Sequence, residues 1–110
     1  MKIPNADRAV VDIGKLTDYC LNPEHPRGKH KARVFLSALG MTSAHAKELG
    51  GALLQKVRSE ECAIGIADEY GVRYIVDFRY ARGSEKATVR STWIIKAGET
   101  IPRLTSCFVL

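Results

Sequence analysis

No pair of cysteines, no leader-like segment and no long apolar run marks this sequence. Its three cysteines, Cys20, Cys62 and Cys107, make an odd count with no close pair. That spacing offers neither a disulfide framework nor a Cys-x-x-Cys motif, and reduced thiols are the expectation. No charged-then-apolar stretch opens the chain, and no apolar run reaches the roughly 18 residues that a membrane-spanning helix needs. The expected product is a soluble cytoplasmic protein with no membrane role. Repeats, low-complexity tracts and linker-like stretches are also missing. At 110 residues, with 45% apolar residues, the chain is long enough to bury a core as one domain without covalent staples.

Acidic residues are absent where cations cluster. The segment from Arg27 to Arg33 holds Arg27, Lys29, Lys31 and Arg33 with His30 among them and no carboxylate. The carboxylates gather elsewhere, at Glu60-Glu61 and Asp68-Glu69. With a net charge of +5, a moderately basic protein of this kind is suited to nucleic acid or another polyanion.

Hydrophobic period changes half-way along. Ile13, Leu16, Cys20 and Leu21 fall at helical spacing, with Asp12 as N-cap and Pro23 beyond the end. Pro23 to Gly28 reads as a loop. A second helix is expected over Lys29–Leu39, with Ala32, Phe35, Leu36 and Leu39 on its buried face and Gly40 as its stop. Thr42 or Ser43 caps a third, running to about Ser59, with Ala46, Leu49, Leu53 and Val57 inside. Gly50-Gly51 weakens that helix by about 1 kcal/mol per glycine relative to alanine, and close packing on a neighbour would explain the pair. Strands are expected at 62–68, 73–80, 87–95 and 104–110, with Tyr74, Val76 and Phe78 on one face. Helices followed by a strand meander imply an α+β fold: two or three helices on one face of a roughly four-stranded antiparallel sheet.

Two stretches carry candidate chemistry. In the first, Lys29, His30 and Lys31 begin a helix, where the dipole disfavours cations unless an anion offsets them. A phosphate there would meet backbone amides and lysines together. His25 and His30 are suited to be base and acid, since imidazole both takes and gives a proton near neutrality. The competing reading makes the same residues a solvated basic turn, with His25 bonded to backbone beside Pro26. In the second stretch, Ser91 and Trp93 share one strand face with Val89 and Ile95, while Arg90, Thr92 and Ile94 share the other. Ser91 and Trp93 would orient a phosphate and stack a base, or Trp93 would simply fill the core. Arg90 is either a phosphate clamp or half of a salt bridge. Zinc at Cys20, His25 and His30 is disfavoured: the C-x4-H-x4-H spacing is unusual, a fourth ligand is missing and nearby cations repel a metal. No cofactor is expected.

The run Lys15-Leu16-Thr17-Asp18-Tyr19-Cys20-Leu21-Asn22, then His25, Gly28, Lys31, Ala32, Phe35 and Leu39-Gly40, resembles a bacterial domain-of-unknown-function family. Tyr70-Gly71, Trp93-Ile94-Ile95 and Pro102-Arg103-Leu104 fit the same pattern. Members of that family resemble domains of polymorphic toxins. More weakly, the chain is similar to the barnase, EndoU, colicin and RelE group of ribonucleases. Lys29, His30 and Lys31 look like the lysine-histidine cluster of colicin D, and Ser91-Thr92-Trp93 like its late-strand Ser-x-Trp. This resemblance implies a metal-independent endoribonuclease toxin acting on RNA, with transfer RNA as one substrate class. Joined to the residue chemistry above, it makes His25, His30, Lys31, Arg90 and Ser91 the expected catalytic residues, and Arg27, Lys29, Arg33 and Trp93 the expected substrate-binding ones. An acidic antitoxin or immunity protein would be the partner. The alternatives are a non-catalytic RNA- or protein-binding module using residues 23–33, and an interaction protein with no nucleic-acid role.

Overall fold

A computed structural model describes residues 1–110. A 3-10 turn at Ala6–Arg8 leads to a single α-helical turn, α1 (Ile13–Lys15), which widens into a π-helical turn at Leu16–Cys20. Asp12 caps it as expected, its carboxylate accepting from Gly14 N at 2.9 Å. The wider turn is closed by Leu21 N donating to Leu16 O at 2.9 Å. Helix α2 spans Lys29–Leu39, the expected range, and ends at Gly40 with φ 65°. Thr42 caps a 3-10 turn, Ser43–His45, which leads into α3 (Ala46–Ser59). The sheet follows as a simple meander of β1 (Ala63–Asp68), β2 (Gly71–Arg82), β3 (Glu85–Lys96) and β4 (Arg103–Val109), every pair antiparallel. The fold is α+β, helices before strands, as the change of period implied.

The helices cover one face of the sheet. Tyr74, Val76 and Phe78 of β2 face inward with Val89, Ser91 and Trp93 of β3 and Leu104 and Cys107 of β4. Against them pack Leu16, Phe35, Leu39, Leu49, Leu53 and Val57, all fully buried. Gly50 packs closely on α1: a Cβ there would lie 2.9 Å from Cδ1 of Ile13, the flexible end of a partly exposed side chain that would have to shift. Gly51 faces open space, so close packing accounts for one glycine of the pair and not the other. Leu36 also departs from its expected place. Periodicity puts it on the buried stripe, yet it is 55% exposed, at the border of a groove that Leu21, Pro23 and Met41 also line.

Arg82 ties the end of β2 to the helices. Its Nε donates to Glu48 of α3 at 2.7 Å, and one terminal nitrogen donates to the carbonyls of Leu39 and Gly40 at 3.0 and 3.2 Å. A cation at a helix C-terminus complements the dipole as well as the orphan carbonyls. The two sheet edges differ. Val10 bridges Arg103 at the edge of β4, whereas Ile64 and Ile66 of β1 are exposed.

Ser91 is the one buried polar side chain of this core. It donates to Val76 O at 2.8 Å and accepts from Trp93 Nε1 at 2.9 Å. Ser91→Ala therefore removes the acceptor of a buried indole N–H along with one cross-strand bond. The expected loss is about 1–3 kcal/mol, read as a lower urea midpoint with an unchanged slope. An unchanged midpoint would show that the pair is structurally idle.

Candidate functional site

The loop before α2 is held by a histidine ring. His25 Nδ1 accepts from Arg27 N at 3.0 Å and from Gly28 N at 2.9 Å, while its carbonyl accepts from Lys29 N at 2.9 Å. A ring nitrogen that accepts carries no proton, so the neutral ring holds its proton on Nε2. Gly28 is buried directly against the backbone of Tyr19, and a Cβ at this position would collide with the Tyr19 carbonyl oxygen. The ring of Tyr19 meets His25 edge-on, with centroids 4.8 Å apart. The π-helical turn and the start of α2 are thus locked together.

That lock sets the position of Lys31. Its Nζ donates to the Tyr19 hydroxyl at 2.9 Å and lies 4.9 Å from the Tyr19 ring centre and 5.7 Å from that of Phe108. Aromatic faces hold this ammonium in place of a carboxylate. Beside it, His30, Lys31, Val34, Phe108 and Val109 line an open hollow of about 280 Å³ between α2 and β4. The His30 ring is exposed and takes no part in the internal hydrogen bonds. Of the residues anticipated at a site, His30 and Lys31 line this hollow together with Phe108, and His25 stands one step back, against the Tyr19 ring that holds Lys31.

Beneath Lys31 lie two buried thiols. The neighbouring Cys107 thiol pulls the Cys20 thiol down to about 6 against the opposing effect of burial, and Ser106 Oγ lies 3.9 Å from the Cys20 sulfur. The same contact between the thiols, together with burial, holds Cys107 well above the ordinary thiol range. The Lys31 ammonium favours the thiolate at both. The pair thus gives up one proton readily and keeps the other.

Arg90, Ser91 and Trp93 lie apart from that hollow. Trp93 is 0% exposed, and a stacking platform needs an accessible ring face, so the indole fills the core. Ser91 is spent on Trp93 and Val76 and has no surface to offer a phosphate. Arg90 stands opposite Phe108 in the β3–β4 register, yet its guanidinium turns to its other neighbour, Asp77, and makes a bidentate pair at 2.9 Å for both bonds. It lines a different hollow, with Ile75, Asp77 and Cys62. Arg27, Lys29 and Arg33 are exposed and take part in none of the protein's ion pairs. Nowhere do three His, Cys, Asp or Glu side chains converge in a metal-binding group. No helix is long and apolar enough to cross a membrane.

Residues 2–110 match the model of a family described as a domain of unknown function, DUF6883. No curated protein is significantly similar in sequence. Among solved structures, the fold is similar to one chain of a contact-dependent growth inhibition toxin–immunity protein complex from Klebsiella pneumoniae 342. The TM-score is 0.70 at 16% identity, over 92% of this chain and 99% of that one.

The Arg90–Asp77 pair makes a pH prediction. Hydrogen bonds from Arg90 hold the Asp77 carboxyl below its ordinary 3.8. A depressed carboxyl stabilises the fold fully above its unfolded value, and that contribution is lost as pH falls through the lower folded value. Melting temperature should therefore drop on acidification below about pH 4, and Asp77→Asn should flatten that decline. Superimposable acid profiles for the two proteins would remove the pair from the account of stability.

Proposed function

Because the chain belongs to the DUF6883 family, whose function is unknown, we propose its role from the site itself: a toxin-type domain that cleaves RNA without a metal. One observation carries this reading. His30 and Lys31 line a single hollow beside the Phe108 ring, with Arg27, Lys29 and Arg33 exposed and unpaired around the start of the same helix. The likeness to a chain of a toxin–immunity complex supports the toxin association and a cognate partner of immunity type. An acidic partner would complement the basic surface.

The chemistry asks for a base, an acid and positive charge. A base removes the proton of a ribose 2′-hydroxyl, and that oxygen then bonds to phosphorus. The bond from phosphorus to the 5′-oxygen breaks, and an acid returns a proton to the departing oxygen. The products are a 2′,3′-cyclic phosphate and a free 5′-hydroxyl. His30 serves as base, since neither ring nitrogen is engaged within the protein. Lys31 neutralises the charge that grows on the non-bridging oxygens. The Tyr19 hydroxyl accepts from Lys31 and so keeps its own proton free to donate. His25 cannot use Nδ1 as a base without releasing Arg27 N and Gly28 N, so it contributes a hydrogen bond from Nε2–H instead. Arg27, Lys29 and Arg33 track the phosphate backbone. Arg90, Ser91 and Trp93 hold the sheet on which Phe108 stands.

The test is cleavage of purified RNA by the wild-type protein and its variants, with folding checked by circular dichroism. His30→Ala should slow cleavage by about 10²–10⁴-fold. Lys31→Ala should slow it by about 10²–10³-fold, and Arg90→Ala should leave it unchanged. Full activity in Lys31→Ala would sink the proposal. Tight, salt-sensitive RNA binding without cleavage would instead favour a binding module centred on residues 23–33.

A further inference from the structure

Helix α2 has a second working face. Lys29, Arg33 and Leu36 follow one another at i, i+4 and i+7 on the side away from Lys31. They border a groove of about 340 Å³ whose apolar lining includes Leu21, Pro23 and Met41, with Thr42 and Ser43 at its margin. No carboxylate lines the groove. No aromatic ring lines it either, in contrast to the hollow beside Phe108.

We propose that this groove is where an acidic, leucine-bearing segment of a protein partner docks, separately from the Lys31 hollow. Three features select that occupant. Leu36 belongs by spacing to the helix's apolar stripe but is left 55% exposed, so the fold itself does not cover it. Lys29 and Arg33 rim the groove without counter-charges, and α2 has neither an acidic residue in its first turn nor a side-chain cap. Carboxylates delivered from outside would offset cations that now oppose the helix dipole. An aliphatic floor without aromatic side chains suits a Leu anchor and offers an RNA base nothing to stack on. The groove and the hollow have no lining residue in common, so a segment seated here would leave His30 and Lys31 in place.

The proposal rests on the partner half of the toxin reading and is independent of cleavage. It is tested with a capped, fluorescein-labelled amphipathic peptide of Glu and Ala carrying two Leu on adjacent turns, titrated by anisotropy against the intact protein. Saturable binding is expected. Leu36→Glu and Arg33→Glu should each weaken it about tenfold or more, while Lys31→Ala should not. Leu36→Glu should also leave RNA cleavage at the wild-type rate, which separates failure of this site from failure of the nuclease reading. Equal binding of a peptide whose Leu residues are replaced by Ser would overturn the proposal. So would indifference to Leu36→Glu.

Discussion

Gly28 lies so close to the Tyr19 carbonyl that no side chain fits between them, and the position of α2 depends on this approach. The His25 imidazole completes the joint by accepting from two successive amides. Together they bring the π-helical turn and the first turn of α2 into one rigid unit. Lys31 then has only one place to go, against the hydroxyl and face of Tyr19. The placement of Lys31 is thus a consequence of backbone packing three residues earlier.

Charge at this joint follows an unusual arrangement. Helix starts ordinarily favour carboxylates, yet α2 opens with cations and no acidic residue in its first turn. The protein accommodates one of them internally, since aromatic quadrupoles and a hydroxyl hold Lys31. The others are left to solvent. On the outer face of the sheet, by contrast, Arg90 is neutralised by Asp77 and Arg73 by Asp68, each at 2.9 Å, while Arg79 stands free. Arg27, Lys29 and Arg33 thus stand without ion-pair partners around the start of α2, a local run of positive charge with no carboxylate among them.

Much of the architecture was legible from hydrophobic period alone. The bounds of α2 and its Gly40 stop, the buried face of α3 and the inward face of β2 follow from spacings of 3.6 and 2.0 residues. Leu36 was misread because a period identifies a stripe but not the width of the surface that covers it. Trp93 and Ser91 illustrate a related limit. Alternation places the two on one face and cannot say which face is sealed. Their proximity in sequence suggested a ligand pair; in the fold, the hydroxyl satisfies the indole. The lysine–histidine cluster was visible because its members are local. Tyr19 and Phe108 were not, because aromatic residues on a helix and a late strand look like core, and only the fold brings them to Lys31. The Cys20–Cys107 contact was hidden for the same reason: separation along the chain carries no sign of a shared proton.

The strand order has a mechanical corollary. Each strand of the meander bonds to its neighbour in sequence, and all three cysteines are free thiols. A pull on the C-terminus would peel β4, then β3, then β2, with no covalent cross-link to sever. Pairing β1 to β4 again takes hairpin closures between adjacent segments, which are kinetically accessible steps, and among the sheet's pairings only the Val10 bridge at the β4 edge joins distant parts of the chain. Such a sheet can be pulled open and formed again without a reductant or an oxidant.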